Sequence, residues 1–500
     1  MTDFNFDPPH QDIKSHAASG FAFTGTTQVI RILTQFFSVI ILARLLEPAD
    51  FGIMAMAVPI YSFAQMFNNL GINQSTIQTP KVTSKQLNSF FWVNVTFGVL
   101  VCLVLAIASP AVGWFYKDSR TTHLTIALAV LVALGGFGSL HGAIMVRKMQ
   151  FRSNAILNIT SMIVALIVSI IWAYIWGGYW ALYAGLAVGS LISTVGVWYY
   201  VRWRPGKPAW APETPEMMRS GLHVSAAHFL SFLAGSLNNI VIGRVLGEHP
   251  LGLYDRASKL VAAPLQQMIN PISSTVGPIL YRLHDNNERF RSTFLRTVNS
   301  ITLAIMPGVV WVIALPDILI ETLMGSKWSE ATPIFVALSF AALPQLINSS
   351  VWWLFTAQGR TLDYLRWGIF DSVVTILALI VGLPFGVVGV AQAWAISQLL
   401  RSPLYWWYGC REGAVKLKDV VKTVTPQIVG GIIAYILIKE LRYASSLGPW
   451  SLLIGGCILS YTISIVTVAC FPDGRGAIAK DYDFIKYMMQ KIFKRALPKR

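Results

Sequence analysis

Five polar side chains, Thr24, Gln28, Arg31, Gln35 and Ser38, recur at steps of three or four within an otherwise apolar run from Thr24 to Gly52. On a helix they form one stripe. The run is long enough to cross a bilayer, and a cation at such depth is tolerated where it faces a bundle interior or a water-filled cavity. A guanidinium has the planar donor fork that suits phosphate, and the carboxamides beside it suit hydroxyl groups. Comparable polar sets interrupt other apolar runs. They are Gln65, Asn68, Asn69, Asn73 and Gln74; His228, Ser231, Asn238 and Asn239; Lys259, Gln266, Gln267 and Asn270; and Gln345, Asn348 and Ser349. The candidate substrate-binding residues are Arg31, Gln28, Gln35, Asn69, His228, Asn238, Lys259, Gln266 and Asn270, with Arg31 the first and Lys259 the second cation for an anionic group. Any single Asn or Gln serves equally well as glue between helices. Asp371 is the mid-span acid that could bind a coupling ion.

Other chemistries lack their residues. The Gly-Lys pair Gly206-Lys207 precedes a proline and has no upstream glycine at the phosphate-loop spacing. There is no HExxH, no zinc-ligand spacing and no GxSxG. The four cysteines, Cys102, Cys410, Cys457 and Cys470, have no paired spacing and read as small apolar packing residues. The sequence thus predicts no catalytic residue, no metal site and no cofactor. The net charge of +16 would suit nucleic acid only on a folded basic surface, which the sequence before its final basic segment does not offer.

The composition says what must position these residues. Of 500 residues 54% are hydrophobic and 12% charged, with mean hydropathy +0.56. Soluble domains carry about 25% charged residues. Apolar runs of about 20 residues recur from residue 20 to residue 471, which predicts an all-α polytopic membrane protein of about 14 transmembrane helices. Lysines and arginines number about 28 in alternate connections and tails and about six in the others, which places both termini in the cytoplasm. No signal peptide precedes the first run, whose polar leader carries Asp3, Asp7, Pro8, Pro9 and Asp12.

The first run has an echo 200 positions on. Arg44, Leu46, Gly52 and Ala57 correspond to Arg244, Leu246, Gly252 and Ala257, and Gln28 and Ser38 to His228 and Asn238. Between the copies, residues 202–220 carry Pro205, Pro208, Pro212 and Pro215, an extended linker. The expected organisation is a cytoplasmic segment (1–19), an N-lobe of six spans (20–201), the linker (202–220), a pseudo-symmetric C-lobe of six spans (221–408), two extra spans (409–471) and a basic tail (472–500). In the tail Ile485, Met488, Met489, Ile492 and Ala496 share a helical face, which predicts a helix on the anionic inner leaflet.

The stretch Arg44-Leu45-Leu46-Glu47-Pro48-Ala49-Asp50-Phe51-Gly52, the run MVRKMQFR at 145–152 and Gln358-Gly359-Arg360 resemble bacterial polysaccharide flippases. These form the polysaccharide transporter family of the multidrug/oligosaccharidyl-lipid/polysaccharide exporter superfamily. The resemblance covers most of the chain and is weakest after about residue 420. It implies a two-lobed transporter with a central cavity that moves undecaprenyl-pyrophosphate-linked oligosaccharides between leaflets of the bacterial inner membrane. Exopolysaccharide, capsule or lipopolysaccharide synthesis would be served, with the polymerase or export machinery as a further partner. The alternatives are a multidrug or cation-coupled antiporter of the same superfamily, a scaffold for a polymerase complex, and a membrane-embedded glycosyltransferase.

Overall fold

A computed structural model describes residues 13–68, 76, 82–208, 235–283, 285–444 and 446–471. The described residues are almost wholly helical, with no strand among them. In chain order the helices are α1 (Ile13–Leu45), α2 (Pro48–Asn68), α3 (Ser84–Tyr116), α4 (Ser119–Arg147), α5 (Phe151–Ile175), α6 (Trp180–Val201), α7 (Glu248–Arg282), α8 (Asn287–Ala314), α9 (Pro316–Met324), α10 (Thr332–Asn348), α11 (Val351–Ala357), α12 (Thr361–Gly382), α13 (Gly386–Cys410), α14 (Leu417–Ala444) and α15 (Pro449–Cys470). A further helical stretch covers 235–246.

The helices are consistent with the 14 expected spans, although the edges move and the seventh, 221–246, is described only from residue 235. The first helix begins at Ile13, seven residues before the apolar run predicts. The tenth span is broken into α10 and α11, with a 3-10 turn (Ser326–Ala331) before them. Nine helical segments among the described residues are long and apolar enough to cross a membrane; one of these, Thr361–Cys410, comprises both α12 and α13.

Local chemistry sets several helix starts. Thr83 caps α3 in a reciprocal pair with Gln86: the Gln86 N–H donates to Thr83 Oγ1, and the Thr83 N–H donates to Gln86 Oε1. Asp118 caps α4 and Asn286 caps α8 through their side-chain oxygens.

The helices group into two compact units, the first reaching Gly252 and the second beginning at Leu253. The division falls beyond the proline-rich stretch 202–220, most of which lies outside the described residues. In the first unit α3 packs along α4, α5 along α6 and α1 along α5. Its inner core is aromatic: His141 stacks on Trp198 at 4.3 Å, with Phe91 and Trp203 against it. In the second unit α8, α10, α12 and α13 form the body, and α14 and α15 pack against α8. The two extra spans are therefore part of the second unit's core, where Val420 and Val424 are buried with Phe294 and Val298.

The echo in the sequence becomes a reciprocal contact within the first unit. A Cβ on Gly52 would lie 1.8 Å from the Glu248 carbonyl oxygen, and one on Gly252 would lie 1.8 Å from the Pro48 carbonyl oxygen. The starts of α2 and α7 cross backbone to backbone, and only glycine leaves room at either position. Arg120 closes the same corner. It donates to Asp118 Oδ2 at 2.8 Å and to Glu248 Oε1 at 2.9 Å.

Candidate functional site

In the second unit, α12 and α13 form an antiparallel hairpin fastened at both ends. At the turn, Gly382 and Gly389 approach so closely that a Cβ on Gly382 would lie 2.6 Å from Val390 Cα, and Gly386 takes φ +71°. At the other end Arg360 donates to the carbonyls of Tyr408, Gly409 and Glu412. Asp363 there accepts from Tyr408 Oη at 3.0 Å and from Arg360 and Arg411 at 3.1 Å. These fastenings fix the register that sets Asp371 opposite Arg401.

Arg401 is buried, its side chain 4% exposed, while that of Asp371 is 43% exposed. The Arg401 guanidinium donates to Asp371 Oδ1 at 2.6 Å, to the Asp371 carbonyl at 2.8 Å and to Thr375 Oγ1 at 2.9 Å. It donates further to the Ser397 carbonyl and Oγ. A rise of 1.5 Å per residue puts Asp371 about 15 Å along α12, well inside a membrane span.

The pair lies at a cavity of about 340 Å³. One side comes from α10, which stops at Asn348. There Ser349 Oγ donates to the Leu346 carbonyl and Ser350 Oγ to the Ile347 carbonyl, satisfying the final turn. Gln345, Asn348 and Ser349 consequently border the cavity. Gln266 and Ile269 reach it from α7, and Gln398 from α13. The wall is aromatic, with Trp367 stacked on Tyr405 at 4.6 Å and 16°. Asn348 Oδ1 accepts from Ser402 Oγ at 2.9 Å. Gln266, Gln345 and Gln398 make no side-chain hydrogen bond among the described residues.

The cavity thus gathers two sequence candidates, Gln266 and Asp371, with the polar set Gln345, Asn348 and Ser349. The other candidates are placed as follows. Arg31 lies near the middle of α1, exposed, beside the exposed Leu33, Phe36 and Phe37. It makes no hydrogen bond or ion pair among the described residues. Gln28, Gln35 and Asn238 are half-buried and already engaged with neighbours. Lys259 donates to Asp255 Oδ2 at 2.9 Å, one turn back on α7. Asn270 is exposed on α7, outside the cavity lining. Asn69 and His228 lie outside the described residues, as do the basic tail and residues 1–12.

Sequence reading missed Arg401, Gln398 and the Trp367–Tyr405 wall. Arg401 stands in an apolar run whose polar residues at helical spacing, Ser397 and Gln398, make a shorter stripe than that of the first span. A signal was available nonetheless: a buried arginine needs an acid at the same depth of an adjacent antiparallel span, and Asp371 is that acid.

A sequence model of a family described as polysaccharide biosynthesis protein matches residues 41–333, more than half of the chain. The lipopolysaccharide biosynthesis protein WzxC of Escherichia coli (strain K12) is 20% identical over 398 residues, 79% of this chain and 81% of its own. The succinoglycan biosynthesis transport protein ExoT of Rhizobium meliloti (strain 1021) is 24% identical over 409 residues, 81% of this chain and 82% of its own. Among solved structures, the lipid II flippase MurJ in an inward closed conformation superposes with TM-score 0.69 at 14% identity, covering 90% of this chain and 97% of that one. An inward-facing multidrug resistance MATE transporter gives TM-score 0.60 at 15% identity, covering 81% and 99%. The fold is shared with these transporters, and with its many membrane-length helices this multi-pass membrane protein belongs to the polysaccharide biosynthesis protein family.

Proposed function

We propose that this protein carries lipid-linked oligosaccharide units, built on undecaprenyl pyrophosphate, from the inner to the outer leaflet of the bacterial inner membrane for polysaccharide export. The observation that carries this reading is Arg31. It is an exposed guanidinium at the centre of a membrane-length helix, with no carboxylate opposite it among the described residues. A cation kept in that state costs several kcal/mol unless an anion or water meets it, and a pyrophosphate is a dianionic partner with matching geometry. The family match and the likeness to the lipid II flippase MurJ support the same reading. Transport would proceed by alternating access, with one half rocking against the other. The lysine and arginine bias supports cytoplasmic termini.

Arg31→Ala is expected to abolish polymer export while the protein still inserts and accumulates in the membrane. Arg31→Lys keeps the charge and loses the fork, so partial export is expected. Full export by Arg31→Ala would remove this residue from the mechanism. Depletion of the protein should leave lipid-linked glycan on the inner leaflet; accumulation of drug instead would favour the antiporter reading. That alternative needs an acid open to a coupling cation, and the likeness to a MATE transporter speaks for it. Against it, Asp371 already holds the guanidinium of Arg401 at 2.6 Å.

A further inference from the structure

The cavity of the second unit contains more than an ion pair needs. Gln266, Gln345 and Gln398 bring three carboxamides to it, none hydrogen-bonded by its side chain among the described residues. Polar groups at membrane depth are costly unless water or a ligand meets them. Trp367 and Tyr405 add a stacked aromatic wall.

We infer that this cavity is a sugar subsite, which receives one sugar of the glycan that the protein transports. The inference rests on the flippase reading and adds the place where the glycan is recognised.

Charge works against phosphate and metal cations. A phosphate approaching the cavity meets the half-exposed Asp371 carboxylate before the guanidinium, which is 4% exposed behind it. A metal cation finds its natural ligand already bound to Arg401, and a second positive charge beside that guanidinium would be repelled. A neutral polyol meets neither obstacle. Its hydroxyls can donate to the outward face of Asp371 and exchange hydrogen bonds with the carboxamides. The C–H face of a pyranose ring packs on the Trp367–Tyr405 wall. Arg401 holds the carboxylate in place, as a positioning residue. The volume of about 340 Å³ lies at the small end of ligand sites and is suited to a single sugar.

The test uses the purified full-length chain in detergent and native mass spectrometry with two probes. One is sugar-free undecaprenyl pyrophosphate. The other is the lipid-linked intermediate extracted from cells depleted of the protein. The wild type is expected to prefer the glycan-bearing lipid. Trp367→Leu, and separately Gln345→Ala combined with Gln398→Ala, should lower that preference by about two- to tenfold and leave the affinity for the sugar-free lipid unchanged. The paired Gln variant removes groups without hydrogen-bond partners, so it keeps the test informative if Trp367→Leu fails to fold. Undiminished preference in the variants overturns the subsite, and so does an equal loss of affinity for both lipids. If Asp371→Asn removes a sodium dependence of binding and keeps the glycan preference, the cavity belongs to a cation and the inference fails. A wild type that binds neither lipid refutes the flippase reading itself, an outcome distinct from loss of preference alone.

Discussion

Cutting the Asp371–Arg401 pair from its two sides should give unequal results, because the partners are unequally buried. Asp371→Ala leaves Arg401, 4% exposed, without a counter-charge. Stranding one member of a buried pair costs about 3–5 kcal/mol. Arg401 would keep acceptors at the residue 371 carbonyl, Thr375 and Ser397, which places the expected loss near the low end, about 3 kcal/mol. Arg401→Met leaves a carboxylate whose side chain is 43% exposed and can take water, so a loss of about 1–2 kcal/mol is expected. The double variant strands neither charge and should fall within about 1 kcal/mol of wild type. The cycle therefore predicts a coupling of about 3–5 kcal/mol, measured by SDS titration of the full chain in mixed micelles. A larger loss in Arg401→Met than in Asp371→Ala, or a double variant as weak as the sum of the singles, would refute a buried Arg401 paired with a half-exposed Asp371.

Gly52→Ala should be costly where surface substitutions are not. Its Cβ would start 1.8 Å from the Glu248 carbonyl oxygen, so the crossing must open by about 1.5 Å, and a loss of about 1–3 kcal/mol or more is expected in the same titration. Gly142→Ala, with nothing within 4 Å of its Cβ, is the control and should be neutral or stabilising. Outside the spans, burial works against ionisation of Asp317, but the Arg442 hydrogen bonds at 2.6 and 2.8 Å outweigh it and hold the carboxyl below the usual range. A depressed carboxyl contributes stability that is fully present above its unfolded value of about 3.9 and is lost as pH falls through the folded value. Asp317→Asn should therefore destabilise the protein slightly at neutral pH and flatten the fall in stability below about pH 4, read by melting in detergent across that range.

The helices were legible because bilayer thickness forces a long apolar run on every span, and such runs survive any detail of packing. The break in the tenth span was not, because Ser349 and Ser350 end a helix by bonding back to carbonyls, a choice made by the local backbone. The echo between Gly52 and Gly252 was visible as a repeat, but its reason was not. Two glycines 200 residues apart gain meaning only when each is seen against the other copy's helix start. The cavity was half legible. Gln266, Gln345, Asn348 and Asp371 stood out as polar interruptions, yet nothing in their spacing joins their three helices around one space. Trp367 and Tyr405 looked like any aromatic residues of an apolar span until stacking placed them on the cavity wall.

If the proposed function holds, pairing also decides which intramembrane cation would receive the pyrophosphate. A lysine and an arginine in the spans of the second unit are each paired with an acid: Lys259 has Asp255 at 2.9 Å, shared with Arg256 at 3.4 Å, and Arg401 has Asp371 at 2.6 Å. For either to hold a phosphate it must first leave its carboxylate or bring that carboxylate's repulsion to the ligand. Arg31 faces neither cost, since no acid pairs with it among the described residues. The ranking of Arg31 before Lys259 thus becomes a sharper expectation. Lys259→Gln, which keeps hydrogen bonding to Asp255 and loses the charge, should retain most polymer export, whereas Arg31→Ala should lose it. Export lost equally in both variants, at equal membrane levels, would show that Lys259 leaves Asp255 during transport, and the assignment of the anionic head group to Arg31 alone would fall.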